Sequence, residues 1–273
     1  MPDVRQPAVA GAFYPGRALA LKQTVTQLLA DAASAPGVGA SMASPKAIIV
    51  PHAGYVYSGS TAALAYAGLS RIRASIRRVV LLGPVHGVRV QGLALPGVDR
   101  FATPLGEVAL DQPAIGAIGH LPQVVESAAA HAYEHALEVQ LPFLQATLDD
   151  FSLVPLAVGD ATAAEVAQVL ELLWGGPETL IVVSSDLSHF LAYATAQTVD
   201  RATTQSILDL RPSVTHEQAC GGIPVNGLLL AARRHALQPR LLGRCNSGDT
   251  AGDKQRVVGY ASFAFTALAH HAT

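Results

Sequence analysis

The chain has 273 residues, of which 50% are hydrophobic and 14% charged, and its formal net charge is −2. A chain of this length can bury the core of one large α/β domain. Because 18 Lys and Arg residues are balanced by 20 Asp and Glu residues and no basic cluster stands out, we expect no nucleic-acid partner.

The sequence also argues against a membrane or secreted setting. No stretch approaches the roughly 18 uninterrupted apolar residues of a spanning helix. The first residues, Met1 to Pro7, lack the basic start and apolar core of a signal peptide. Two cysteines, Cys220 and Cys245, do not make a disulfide framework. We therefore expect a cytoplasmic protein in a reducing environment, without a membrane partner.

Strand and helix patterns alternate along the chain. In the first half we predict an irregular segment over 1–15, a helix over 17–33, a flexible connection over 34–45, a strand over 46–50, a helix over 60–69, a strand over 78–82, and short strands and turns over 88–110. In the second half we predict a helix over 133–141 with a kink or restart at Pro142, a strand over 151–158, a helix over 163–173, a strand over 179–184, helices over 194–210 and 225–235, and strands over 240–242 and 257–265. This order predicts one α/β domain over 1–273, with a central, largely parallel or mixed sheet flanked by helices.

Three of the predicted strands end in a turn that carries a histidine. The apolar runs before His52, before His86 and before Asp186 and His189 are short, continuous and rich in Val, as strands buried on both faces are. Ligands of open α/β sheets bind beyond the carboxyl ends of the strands. His52 and His86 lie 34 residues apart, about one strand–helix–strand unit, so both reach one sheet edge if their strands are parallel neighbours. The pattern predicts a metal or acid–base site at that edge.

His52 and His86 are the candidate metal ligands. Neutral imidazole suits Zn, Fe, Cu or Ni, and two histidines with one carboxylate form the open site of non-haem Fe(II) enzymes. The alternative is that each histidine only holds its loop by a hydrogen bond. Asp186 and His189, three residues apart, are candidates for further ligation or for general acid–base work. Their alternative role is to cap the helix that follows.

Two further segments carry candidate residues. For His135 and Glu138 we predict contact with a metal ligand or with the substrate, the alternative being a solvated polar helix face. After the predicted strand over 240–242, Cys245 offers a soft thiolate and Asp249 a hard carboxylate as a third ligand, unless both serve ordinary packing and turn formation. Asn246 and Ser247, in the same turn, are candidates for binding substrate or backbone. Cys220 precedes a predicted helix, and we interpret it as structural.

Taken together, these segments resemble the Memo family. The matching stretches run from Arg5 to Pro15, Val50 to Gly59, Leu82 to His86, Glu134 to Glu138, Ser184 to His189 and Asn246 to Asp249. The resemblance implies a fold similar to class III extradiol dioxygenases, which cleave catechol rings with non-haem Fe(II). It implies that His52 and His86 are metal ligands and that His189 is the acid–base histidine.

The resemblance also has implications for partners and for the third ligand. Bacterial and archaeal members look like one component, of the protein B type, of a three-protein AmmeMemoRadiSam system with a radical-SAM protein. Animal members are linked to signalling, phosphotyrosine-peptide binding and copper- or iron-dependent redox behaviour. The cysteine that supplies their third ligand corresponds to Thr250 here, and no glutamate follows Glu217 to replace it as in the dioxygenases. Asp249 is therefore our expected third ligand, with Cys245 as the alternative.

Two main hypotheses follow. The first is a non-haem-metal oxidoreductase, dioxygenase-like, with Fe(II), or else Cu or Zn, held by His52, His86 and Asp249. In it Asp186 and His189 move protons, Tyr55 or His135 lines the pocket, and the substrate is a small, aromatic molecule. The second is a non-catalytic binding or assembly protein with a vestigial pocket, which grips a peptide or a radical-SAM partner. A zinc-dependent hydrolase is a third option.

Overall fold

The structure is a computed structural model that describes residues 3–35 and 44–267, so most of the predicted 34–45 connection lies outside the described residues. In the first half of the chain the elements are β1 Val4–Arg5, α1 Ala18–Ala33, β2 Pro45–Val50, α2 Tyr55–Ala67, β3 Arg78–Pro84, β4 Leu93–Leu95, β5 Arg100–Thr103, β6 Gly106–Ala109, α3 Gln112–Ile118, β7 Val124–Glu126, α4 Ala128–Ala132 and α5 His135–Glu138. In the second half they are α6 Leu141–Thr147, β8 Ser152–Val158, α7 Ala163–Leu173, β9 Thr179–Ser184, β10 His189–Leu191, α8 Tyr193–Leu208, α9 Gly222–Arg234, β11 Leu237–Asn246, a 3₁₀ turn Ser247–Asp249 and β12 Val257–Ala267.

The predicted α/β domain with a mixed, largely parallel sheet is confirmed. Within the described residues, nine strands form one sheet: eight lie in the order β10-β12-β2-β9-β3-β8-β4-β7, and the ninth, β11, pairs antiparallel with β12 from Gly259 to Ala267. The four central strands, β2, β9, β3 and β8, are mutually parallel, whereas β12 runs antiparallel to β2. A separate three-stranded sheet joins β1, β5 and β6. The carboxyl ends of the central strands therefore share one edge.

Helices cover both faces of the central sheet because its strands are apolar on both sides. One core holds side chains from α1, α2 and α6, including Leu21, Tyr66 and Phe143, and the other holds side chains from α7 and α9, including Val166 and Leu228. Burying each such side chain contributes about 1.5–3 kcal/mol relative to leaving it exposed. No helix in the described ranges is both long enough and apolar enough to span a membrane.

Three differences from the predicted arrangement bear on the site. Helix α2 begins at Tyr55, five residues before the predicted start, with Gly54 at its N-cap, so the helix follows the His52 turn directly. The predicted helix over 133–141 is shortened to α5, whereas the predicted restart at Pro142 is confirmed: α6 begins at Leu141 and has Pro142 in its first turn, where the missing N–H costs no hydrogen bond. Strands β2 and β3 are also not neighbours, because β9 lies between them.

Candidate metal centre

His52 and His86 meet at the carboxyl edge of the sheet although β9 separates their strands. Each lies two residues beyond its strand, and the parallel pairing of Val50 with Ser184 and of Leu82 with Val183 aligns the three strand ends. The two imidazole rings lie 5.4 Å apart, centroid to centroid. Parallel pairing through a shared neighbour thus brings the two histidines to one place.

Cys220 completes a three-membered group with these histidines. Its Sγ lies 3.3 Å from Nε2 of His52, and one ligand atom from each of His52, His86 and Cys220 falls within 4.8 Å of the others. The cysteine precedes α9, and the backbone N–H of Gly221 donates to Ser185 Oγ at 3.0 Å, which ties this segment to the end of β9. Sequence reasoning missed Cys220 in this role, because 168 positions separate it from His52 and no local pattern links the two.

Two hydrogen bonds fix His52, one at its ring and one at its backbone. Its Nδ1 lies 2.9 Å from Ser184 Oγ, and its backbone N–H donates to Asp186 Oδ1 at 2.7 Å. The residue is 1% exposed. Burial, together with the nearby His86, lowers the pKa of His52 to about 3. The ring is therefore neutral at neutral pH, the form that binds metals.

A carboxylate holds His86 in the same way. Glu134 accepts from His86 Nδ1 at 2.8 Å through Oε1, and from the His86 backbone N–H at 2.6 Å through Oε2. Burial would raise the pKa of Glu134, but these hydrogen bonds and one from the backbone of Ala136 lower it to about 2. The ionised Glu134 thus directs Nε2 of His86 away from itself, as carboxylates behind metal-bound histidines do. The His86 side chain is 33% exposed, so the site opens to solvent beside it.

The donor set suits a transition metal. It offers two imidazoles whose Nδ1 atoms are already hydrogen-bonded, and one thiol, which fit Fe, Cu or Zn. Burial and the nearby Asp186 raise the pKa of the Cys220 thiol to about 12, so without a cation the sulfur keeps its proton. A bound metal ion would reverse this balance and deprotonate a coordinating thiol.

The structure brings Asp186, His189 and His135 to the same edge. Burial raises the pKa of Asp186 and lowers that of His189, and the charge of each opposes the shift of the other. Asp186 caps no helix, since the next helix, α8, has Ala192 at its N-cap. The His135 ring packs between His86, at 4.6 Å, and Phe13, at 4.7 Å. Burial, followed by the charges of His52 and His86, lowers the pKa of His135 to about 4.

Glu138 and Tyr55 are buried, and each side chain has hydrogen-bond partners within the scaffold. Glu138 is fully buried, and its two oxygens accept from the Arg5 guanidinium, from the backbone N–H groups of Ala8 and Val9, and from the Tyr14 hydroxyl. These four bonds occupy the lone pairs of the carboxylate, so the expectation that Glu138 contacts a substrate is not supported. Tyr55 donates its hydroxyl to the Val139 carbonyl at 2.8 Å, and its ring packs on Phe143.

The expected third ligands lie outside this group. Asp249 accepts from the Tyr193 hydroxyl at 2.5 Å and from the backbone N–H of Asn246 at 3.0 Å, forming a capping box for the 3₁₀ turn. Cys245 Sγ lies 3.0 Å from the Thr61 hydroxyl. Asp249 thus serves its own turn, and Cys245 packs against a side chain of α2, as the alternative roles in turn formation and packing hold.

Asn246 and Ser247 serve the same turn. The Asn246 side chain accepts from the Gly248 backbone N–H at 2.9 Å, and the Ser247 hydroxyl accepts from the Val258 backbone N–H at 3.1 Å. Their polar side chains therefore bind backbone, one of the two roles that the sequence left open.

Comparison with known proteins links the whole chain to one family. A family model described as "Memo-like protein" matches residues 5–264. Proteins described as "MEMO1 family protein" from Metallosphaera sedula and Sulfolobus acidocaldarius are 32% and 34% identical, with 96% of this chain and 99% of each relative aligned. A relative from Methanosarcina barkeri is 35% identical over 95% of this chain and 98% of its own. A crystal structure of an uncharacterized protein from Escherichia coli K12 aligns with 80% of this chain and 98% of that chain, with a TM-score of 0.49 and 14% identity.

Proposed function

This chain belongs to the Memo-like protein family, and we propose that it binds one transition-metal ion through His52, His86 and Cys220. The observation that carries the proposal is the convergence of the three ligand atoms within 4.8 Å at the sheet edge. A second group, His86, Glu134 and His135, converges as closely, but its carboxylate already accepts from Nδ1 and the backbone N–H of His86. Support comes from the hydrogen bonds to Nδ1 of both histidines, which leave each Nε2 for the ion.

We propose Fe(II) as the metal and oxidation of a small, aromatic molecule as the reaction. Copper and zinc are the alternatives that two imidazoles and a thiolate accommodate. A bound redox-active ion would supply the electron-transfer chemistry. A reducing compartment such as the cytoplasm would keep Cys220 available as a thiol.

In this proposal the remaining polar residues of the edge handle protons and orientation. His189 is the group that takes up or releases a proton, since imidazole accepts a proton, and imidazolium gives one up, near neutral pH. Asp186 accepts the backbone N–H of His52 and so holds the turn that carries this ligand. His135, packed flat on His86, forms a wall of the site.

A binding or assembly protein is the second candidate function. Its support is the absence of a carboxylate from the three proposed ligands, which departs from the two-histidine, one-carboxylate arrangement of non-haem iron oxygenases. Such a protein would grip a peptide or a radical-SAM partner protein. Capture of that partner at equal yield by the unaltered chain and by His52→Ala, with no oxidation detected, would favour this function.

Metal analysis of anaerobically purified protein tests the proposal. We expect close to one metal ion per chain in the unaltered protein and its loss in Cys220→Ala. Cys245→Ala is the matched control, because that thiol contacts Thr61 instead of a histidine, and Asp249→Asn tests the ligand expected from sequence. Both should retain the metal. Full retention in Cys220→Ala, or loss only in Asp249→Asn, would contradict the ligand set.

A further inference from the structure

We propose that Ser184 is a positioning residue that determines which ring nitrogen of His52 carries the proton. The proposal rests on the proposed metal site and deepens it, because only an unprotonated Nε2 can act as a ligand on the side where Cys220 lies. Ser184 is the last residue of β9, and it is fully buried beside His52.

Among the partners of Ser184, only one can accept its hydroxyl proton. The oxygen lies 2.6 Å from the Ala136 carbonyl, 2.8 Å from Gln140 Nε2 and 2.9 Å from His52 Nδ1. A carbonyl only accepts and a hydroxyl has a single proton, so that proton goes to Ala136. The Ser184 oxygen must then accept from the other two groups.

The orientation of Gln140 is fixed independently. Its Nε2 also lies 2.9 Å from the Pro51 carbonyl, which only accepts, and its Oε1 accepts from the Tyr66 hydroxyl at 2.9 Å. A flipped amide would set two carbonyl oxygens against each other at Pro51. Gln140 and Tyr66 are both fully buried, so water does not compete for these bonds. Every proton in this network therefore has an assigned direction.

The network makes Nδ1 of His52 the protonated nitrogen. Nε2 then carries a lone pair, which faces the Cys220 sulfur 3.3 Å away. Without the Ser184 oxygen, Nδ1 would lose its acceptor, and the ring would move its proton to Nε2, where it would point at the sulfur and block the metal. Glu134 accepts from Nδ1 of His86 in the same way, but it is an ionised carboxylate instead of a neutral hydroxyl. The two proposed ligands are therefore oriented by chemically different partners.

Nitrogen NMR of the metal-free full chain, labelled with ¹⁵N-histidine, tests the tautomer directly. His52→Gln identifies the His52 resonances by their disappearance. We expect the Nδ1–H form in the unaltered protein at pH 7.5 and a shift toward the Nε2–H form in Ser184→Ala. An Nε2–H form in the unaltered protein would overturn the proposal, and so would an unchanged tautomer in Ser184→Ala.

Titration with Co(II) tests the consequence for metal binding. We expect affinity to fall about 10–100-fold in Ser184→Ala, as for other groups that orient a metal ligand, and to recover in Ser184→Thr, which restores the hydroxyl. Ser262→Ala is the matched control, because Ser262 is equally buried and its hydroxyl also donates to a carbonyl, that of Thr61. Equal losses in Ser184→Ala and Ser262→Ala would overturn the positioning role.

The two measurements separate the two proposals. If the unaltered chain binds no Co(II), the proposed metal function fails, yet the tautomer measurement still decides the role of Ser184. If Ser184→Ala does not fold, the tautomer of the unaltered protein and the Co(II) affinity of Ser184→Thr still decide it. Near-ultraviolet thiolate-to-cobalt absorption that vanishes in Cys220→Ala would support the ligand set alone.

Discussion

Replacing Glu138 by alanine should destabilise the fold, not merely weaken substrate binding. The carboxylate accepts from the guanidinium of Arg5, from two backbone N–H groups and from the Tyr14 hydroxyl, and its side chain is 0% exposed while that of Arg5 is 5% exposed. Removing one member of such a pair leaves a buried charge without a partner. That costs about 3–5 kcal/mol of unfolding free energy.

The effect should extend to the site, because Arg5 also donates to the carbonyls of Glu134 and His131. Urea unfolding followed by circular dichroism measures the loss. Glu171→Ala is the control, since Glu171 pairs with His235 and Arg234 at a partly exposed position and should change stability by less than about 1 kcal/mol. In Glu138→Ala, a loss below about 1 kcal/mol with weakened substrate binding would refute this reasoning and restore the substrate-facing role.

Three further outcomes are expected. Glu134→Gln should weaken metal binding about 10–100-fold, because the two N–H groups of His86 donate to different oxygens of Glu134 and the amide replaces one of these oxygens by an NH2 group, which only donates; unchanged affinity in a chelator competition would contradict this. Burial lowers the pKa of His131 from 6.5 to about 4, so the unfolded chain binds more protons between these pH values and stability falls as the pH decreases. His131 should contribute about 3 kcal/mol to this loss of unfolding free energy. The unfolding free energy from urea titrations should therefore depend less steeply on pH in His131→Leu than in the unaltered protein, and equal slopes would contradict the prediction. Gly92→Ala should lower the melting temperature, because Gly92 has φ +87° and an added Cβ would lie 2.1 Å from the Gln123 carbonyl oxygen; an unchanged melting curve would show that the backbone yields there.

The α/β class and the family could be predicted from the sequence, because both depend on local patterns of residues. Runs such as Val79 to Leu82 are buried on both faces and therefore carry no polar residues, whichever strand lies beside them. His52 and His86 could be placed at the sheet edge because each directly follows such a run. The order of the strands in the sheet could not be predicted from the sequence, and β9 lies between β2 and β3, the strands that precede the two histidines. Because all three strands are parallel, both histidines still lie at the same edge.

Only the tertiary structure shows which side chain lies beside the histidine pair. Asp249 looks like a ligand in sequence, but its carboxylate, three residues after Asn246, accepts from the Asn246 backbone N–H and closes a turn. Glu138 lies near His135 in sequence, yet it faces Arg5 across 133 positions. Cys220 reaches His52 across 168 positions, because α9 packs against the end of β9. Burial follows from local patterns of apolar residues, whereas the meeting of three ligand atoms depends on contacts between distant parts of the chain.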